Sequence, residues 1–333
     1  MPVDENSRVV AFGSLGGTIT MTRSASSGGI EPSLNAGDLL ASVPGLAEVA
    51  DIRPATLASV PGASLRPDDV LAALDWARTQ VETGARGVVL AQGTDTIEET
   101  AYLAELYWDR PEPLVVTGAM RGPGQMPADG PANLLAACQV ALAPAARDIG
   151  VLVVLDGTAH MATRVRKTHS TALNAGRSPD GGPAGGIVEG DVWLRPERRV
   201  GAPLDRPTSD AYVPMLETYL GDDGSVLRTL LAAGLDGVAV GGFGVAHTST
   251  GLADRLAAAA RTVPVVVSTR TGSGGTLSRT YGFQGSEIDL QSRGVILSGA
   301  LDTRKSRLLL WALLSCGASA ERVRSEFASR GRR

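Results

Sequence analysis

The sequence predicts an α/β protein with a larger N-terminal domain, whose mostly parallel sheet is flanked by helices, and a smaller C-terminal α/β domain. Three observations predict it. Short, wholly apolar runs alternate with stretches of helical periodicity across the first half, the pattern of a parallel sheet covered on both faces. A segment at 195–210 with three prolines, many charges and little periodicity interrupts that alternation. A second set of short apolar runs and helical stretches follows it. The N-terminal domain is accordingly placed at 1–194, the linker at 195–212 and the C-terminal domain at 213–333.

The run at 9–20 begins as an apolar strand and ends in Gly16-Gly17-Thr18. Its glycine spacing fits neither a dinucleotide fingerprint nor a phosphate-binding loop. Glycines there let the backbone approach a ligand, and the threonine behind them is placed to act as a nucleophile beside free amides. Residues 22–29 are small and polar with two glycines, which reads as a mobile surface loop. At 67–84 Pro67 suits a first helical position, Asp68 and Asp69 suit the first turn, and Gly84 suits the stop. Residues 87–91 form the next buried strand, and Gln92-Gly93-Thr94-Asp95 is a polar turn beyond its carboxyl end. Thr96 and Glu99 match a capping box that opens a helix carrying Ile97, Ala101 and Ala104 on one face. Ligands of open α/β sheets bind at such strand ends. Thr94, Asp95 and Thr96 therefore serve either as competing caps or as ligand-facing groups. Strands are predicted at 114–119 and 150–155, a helix at 128–143, and a polar excursion at 156–170 containing Lys167. Past the linker, strands are predicted at 237–241, 263–268 and 294–297, and helices at 252–260, 303–314 and 320–327.

Composition narrows the classes. With 43% hydrophobic and only 4% aromatic residues, the chain builds an aliphatic globular core. A net charge of −4 and the absence of a basic block argue against a nucleic-acid partner. No apolar run reaches membrane-spanning length, and the polar start at 1–8 leads into no signal-peptide core, so the expected location is cytoplasmic. Cys138 and Cys316 lie far apart in predicted helices and read as buried thiols, not as a disulfide or metal pair. No zinc motif or cysteine cluster is present, so neither metal nor cofactor is expected. His160, His169 and His247 have no Gly-x-Ser-x-Gly elbow to serve, which disfavours a histidine-based triad.

Five motifs occur in order: Gly16-Gly17-Thr18-Ile19; Gly93-Thr94-Asp95-Thr96 with Glu98-Glu99-Thr100-Ala101-Tyr102; Gly118-Ala119-Met120-Arg121 with Ala128-Asp129-Gly130-Pro131-Ala132-Asn133-Leu134; Val165-Arg166-Lys167-Thr168; and Ser298-Gly299 ahead of Lys305 and Arg307. On these, from about residue 9 to about residue 327, the sequence resembles the bacterial-type L-asparaginase family of amidohydrolases.

The resemblance implies hydrolysis of L-asparagine to L-aspartate and ammonia through a threonine nucleophile and a β-aspartyl-enzyme intermediate. It assigns Thr18, Thr94, Asp95 and Lys167 to catalysis, with either threonine a candidate for the first attack. Lys167, by itself a plain surface charge, would be partly desolvated and held by Asp95 so that it exchanges a proton with Thr94. Backbone amides near Gly17 and Thr94 would stabilise the oxyanion. Substrate contacts are implied for Gly17, Ala63, Ser64, Gly93, Thr94, Asp95 and Ala119, and, from a neighbouring copy in a dimer of dimers, for His247 and Tyr281. The sequence departs from the family pattern in four places. The lid expected at 22–29 has no tyrosine, Ala63-Ser64 stands where a serine and a polar residue are usual, and His247 and Tyr281 stand for an asparagine and a glutamate. Ser64 also reads as an ordinary turn serine, and Tyr281 as a half-buried structural tyrosine. Two alternatives follow: an amidase of the same fold acting on glutamine or another amide, and a non-catalytic amino-acid-binding protein. The transfer RNA amidotransferase subunit of this type carries an extra N-terminal segment, whereas this chain begins close to its first motif.

Overall fold

Residues 7–24, 28–195, 197 and 199–332 are described by a computed structural model. The first apolar run forms strand β1 (Val9–Gly16). A short antiparallel hairpin follows, β2 (Met21–Arg23) with β3 (Ile30–Pro32). The expected surface loop at 22–29 thus lies partly in strand, and residues 25–27 of the expected lid lie outside the described residues. Helices α1 (Ala36–Ala41) and α2 (Leu46–Val49) lead into β4 (Asp51–Val60). Helix α3 (Pro67–Glu82) starts on Pro67 and stops before Gly84, whose φ of +98° no longer suits a helix. Then come β5 (Gly87–Ala91), α4 (Ile97–Tyr107), β6 (Leu114–Thr117), α5 (Gly130–Leu142) and β7 (Val151–Leu155). The polar excursion expected at 156–170 is instead largely ordered: β8 (Thr158–Met161) returns antiparallel on β7, and β9 (Arg166–Lys167) pairs with β10 (Gly176–Arg177). The hairpin signal is Asp156-Gly157, where both residues have positive φ (49° and 66°), the geometry of a two-residue turn between Leu155 and Thr158. A second hairpin, β11 (Gly185–Val188) and β12 (Asp191–Leu194), completes the sheet.

Eight of these strands form one sheet in the order β12-β11-β8-β7-β6-β5-β1-β4. Pairing is parallel from β4 through β1, β5 and β6 to β7, and antiparallel beyond. Alternate strand residues face opposite sides. On one side Val10, Phe12, Val89, Val115, Leu152 and Val154 pack with Leu39 of α1 and with Leu134, Ala137 and Ala141 of α5. Helices α3 and α4 pack together and contact β1, β5 and β7. The mostly parallel sheet flanked by helices is therefore as the sequence predicts.

Three element ends differ for physical reasons. Strand β6 ends at Thr117, whose hydroxyl donates to the Val154 carbonyl at 2.7 Å, two residues short of the expected end. Helix α5 starts at Gly130 because the Asp129 carboxylate accepts the amides of Met120 and Arg121 and leaves its own helix uncapped. The expected capping box at α4 is absent: Thr96 is the N-cap residue, but its hydroxyl donates to the Gly62 carbonyl at 2.9 Å. Cys138 is buried in α5, and burial pushes its thiol up to about 12. Cys316 follows a helix and is only half-buried, against expectation.

The chain divides into two compact units, Met1–Arg199 and Val200–Arg333. Among the described residues no strand or helix lies between Leu194 and Met215. The second unit holds a parallel four-stranded sheet of β13 (Met215–Glu217), β14 (Val238–Gly242), β15 (Val265–Thr269) and β16 (Ile296–Leu297), in that order. Its helices are α6 (Ser225–Ala233), α7 (Thr250–Ala259), α8 (Glu287–Ser292), α9 (Thr303–Ser315) and α10 (Ala320–Arg330). Strand β13 and helices α6 and α8 are additions to the sequence reading; each is short, and neither helix has a side-chain cap. No helix among the described residues is long and apolar enough to cross a membrane.

Candidate active site

Chain order reverses at β1, which has β4 on one side and β5 on the other. A crevice at the carboxyl ends of strands is expected at such a switch point. Each of these three strands ends in a single 3₁₀ turn: Thr18–Thr20 after β1, Gly62–Ser64 after β4 and Thr94–Thr96 after β5. Glycines weld the turns together. A Cβ on Gly17 would lie 2.0 Å from the Gly93 amide nitrogen, and one on Gly93 would lie 2.8 Å from Gly62 Cα. A side chain on Gly17 or Gly93 would therefore push the turns apart. Gly17 also has a φ of 83°, which suits glycine. The Thr96 hydroxyl bond to Gly62 ties the second and third turns, and the Thr20 hydroxyl donates to Gly17 at 2.8 Å and closes the first.

The Gly17 amide donates to the Val60 carbonyl at 3.0 Å and is not itself a free donor. The amides of Thr18 and Thr94, each leading its 3₁₀ turn, donate no hydrogen bond among the described residues. Thr18 itself is half-buried and its hydroxyl makes no hydrogen bond among the described residues. Ala63 and Ser64 are exposed on the second turn. Ala119, by contrast, is fully buried and forms part of the core under the site.

Lys167 reaches this centre from β9. Its Nζ donates to Thr94 Oγ1 at 2.9 Å and to Asp95 Oδ1 at 2.8 Å. The lysine side chain is 17% exposed, while that of Asp95 is 63% exposed. The ammonium is thus screened from bulk water on the threonine side and open on the carboxylate side. Glu98, in the first turn of α4, is buried and accepts the Lys167 amide at 2.8 Å. The neighbouring loop is held by the motif at 128–134. Asp129 takes two of its amides, and the Asn133 side chain donates to Gly118 O at 2.9 Å and accepts from Asp156 N. Gly62 and Glu98 were not singled out for roles by the sequence reading; Pro-Gly at the end of β4 and a carboxylate in a helix's first turn were the available signals.

In the second unit His247 and Tyr281 come together with ring centroids 4.8 Å apart, and Phe283 packs on both. Glu287 lies behind them, its Oε2 3.4 Å from His247 Nε2, and accepts the amides of Thr280 and Tyr281. Burial alone would raise the Glu287 carboxyl, but the Tyr281, Glu287 and Thr280 amides and the imidazole outweigh it and hold it below the usual carboxylate range. The other histidines are occupied elsewhere: His160 pairs with Ser178, and His169 Nδ1 accepts the amides of Thr171 and Ala172. Among the described residues no group of three or more His, Cys, Asp or Glu side chains is arranged to hold a metal ion.

Fold and site define an α/β enzyme whose hydroxyl, amine and carboxylate meet at the carboxyl ends of parallel strands. Residues 9–199 match the family model "Asparaginase, N-terminal", and residues 212–327 match "Glutaminase/Asparaginase C-terminal domain". The chain belongs to the asparaginase family and is a hydrolase acting on amides. It is 38% identical over 256 residues to a probable L-asparaginase of Deinococcus radiodurans, covering 74% of this chain and 77% of the relative. It is 30% identical over 297 residues to L-asparaginase 2 of Escherichia coli, covering 87% and 83%. The crystal structure of a probable cytoplasmic L-asparaginase from Campylobacter jejuni superposes with a TM-score of 0.87 at 29% identity, covering 97% of this chain and all of that one.

Proposed function

We propose that the protein hydrolyses L-asparagine to L-aspartate and ammonia, with Thr18, Thr94, Asp95 and Lys167 as its catalytic residues. The observation that carries this reading is the Lys167 ammonium bonded at once to the Thr94 hydroxyl and the Asp95 carboxylate. Family membership and the names of the relatives support the substrate.

Thr18 Oγ1 attacks the side-chain amide carbon and forms a β-aspartyl ester. Its proton passes to the leaving nitrogen, which departs as ammonia. The amides of Thr18, beside Gly17, and of Thr94 stabilise the charge that builds on the carbonyl oxygen. Water then attacks the ester carbon; its proton passes through the Thr94 hydroxyl, which the Lys167 ammonium orients, to Thr18 Oγ1 as the ester bond breaks, and aspartate leaves with Thr18 restored. Ser64 and the backbone at Ala63 receive the substrate's α-carboxylate, and Asp95 receives its α-ammonium. Gly17, Gly93 and buried Ala119 shape the floor. His247 and Tyr281 complete the site of a neighbouring copy, which makes the working form a homo-oligomer, a dimer of dimers in the cytoplasm. The domain division at 1–194, 195–212 and 213–333 belongs to the same proposal.

The test is ammonia release from L-asparagine and L-glutamine side by side. Release from asparagine is expected, with Thr18→Ala and Thr94→Val each lowering turnover at least about 100-fold. Equal release from both substrates would favour a broader glutaminase-asparaginase. Amino-acid binding without release would remove the hydrolytic reading.

A further inference from the structure

Lys167 is held at three points. Its Nζ meets Thr94 and Asp95, and its backbone amide meets Glu98 Oε2. These grips are unequal. Asp95 is exposed, and an ion pair open to water fixes a long side chain only weakly. The ribbon that carries Lys167 has two residues in each strand, too little to be rigid alone. Glu98, only 5% exposed and rooted in the first turn of α4, is different. A carboxylate there suits the positive end of the helix, and α4 begins immediately after the turn that presents Thr94. One rigid segment thus presents Thr94 and anchors the backbone of the lysine that serves it, although Lys167 lies 69 positions beyond Glu98 in the chain.

We propose that Glu98 is a positioning residue of the catalytic centre, setting the reach of Lys167 Nζ to Thr94 Oγ1 by holding the Lys167 amide. This rests on the hydrolytic reading above. Glu98 touches no reacting atom. Its carboxylate fixes where the lysine Cα stands, and four methylenes then deliver the ammonium 2.9 Å from the hydroxyl. Without that anchor the ribbon moves, and an error of about 1 Å at a catalytic group costs roughly 100-fold in rate.

The experiment compares Glu98→Ala, Glu98→Asp and Glu98→Gln by steady-state kinetics and by hydrogen exchange at the Lys167 amide. Glu98→Ala is expected to lower kcat about 100-fold with KM within about twofold, because Lys167 acts on the reaction more than on binding. Glu98→Asp keeps the charge but withdraws it by one methylene, and lowers kcat about tenfold in a folded protein. Glu98→Gln keeps an acceptor oxygen at full reach and returns kcat to within about fivefold of the parent. Lys167 amide exchange accelerates in the alanine and aspartate variants and recovers in the glutamine variant. Glu112→Ala, which removes another buried carboxylate of the same unit, controls for lost stability: Tm falls and kcat holds. Parent-like kcat in Glu98→Asp, or unchanged Lys167 exchange in both shortened variants, would overturn the proposal. Should the parent release no ammonia, the hydrolytic reading falls, while the exchange data still decide whether Glu98 anchors Lys167.

Discussion

His160 lies buried in β8 with Nδ1 3.0 Å from Ser178 Oγ and Nε2 without a hydrogen-bond partner among the described residues. Burial pushes its pKa from 6.5 down to about 4. The unfolded chain takes up this proton near pH 6.5, while the folded chain resists it until about pH 4. In that window the unfolded state binds more protons, so stability that is complete above the window falls as the pH drops through it. The full loss amounts to about 3 kcal/mol. Urea midpoints measured at pH 7.5 and pH 4.5 should therefore differ more for the parent than for His160→Gln; equal differences would clear His160 as the cause. The residues of the candidate site were far more legible than this one. Thr18, Thr94 and Asp95 announce themselves as polar groups in turns after apolar strands, where packing gives no reason for them. Lys167 announces itself only through its motif, because its meeting with Thr94 depends on the β9–β10 ribbon and on Glu98, pairings that no local pattern encodes. Which amide near Gly17 stays free was illegible for a similar reason: the Gly17 amide itself donates to Val60 of β4, a strand met only in three dimensions.

Among the elements, the three 3₁₀ turns depend on backbone meeting backbone. At Gly17 an added Cβ would stand 2.0 Å from Gly93 N, and the φ of 83° opposes any side chain. At Gly62 the added Cβ would stand 3.1 Å from Gly93 backbone atoms with no such opposition. At Gly124, on the loop after β6, it would meet nothing within 4 Å. The expected order of damage follows. Gly17→Ala should cost about 3 kcal/mol and abolish turnover, Gly62→Ala about 1 kcal/mol with a clear loss of turnover, and Gly124→Ala within about 0.5 kcal/mol of neutral. Urea denaturation with parallel activity assays measures all three. A tolerated Gly17→Ala would mean that the turns need not touch. The strands and helices that frame these turns were legible because their periodicity is local; the sequence also contains Asp156-Gly157, but a polar stretch around it hid the hairpin. Helix starts were less legible than helix existence, since Thr96 and Asp129 spend their side chains on neighbouring loops and not on their own helices.

At the scale of the whole molecule each unit builds its own sheet and its own core, one around β1, β5 and α5, the other around β14, β15 and α7. The hydroxyl–lysine centre belongs entirely to the first unit, and the His247–Tyr281–Glu287 cluster belongs entirely to the second. If the second cluster serves a neighbouring copy, two differently damaged chains can repair each other. Take Thr94→Val, which disables the first unit, and a His247→Ala, Tyr281→Phe double variant, which disables the second. In a symmetric dimer each site then draws one unit from each chain. A mixed dimer holds one site with both defects and one with neither. Random exchange of equal amounts makes half the dimers mixed, so about a quarter of parental ammonia release should return where each variant alone is nearly silent. Recovery must grow with the time allowed for subunit exchange and must vanish if the chains are mixed without it. A mixture that stays at the mean of its two components after full exchange, verified by native mass spectrometry, would mean that each chain completes its own site, and the roles proposed for His247 and Tyr281 in a neighbour would have to be withdrawn.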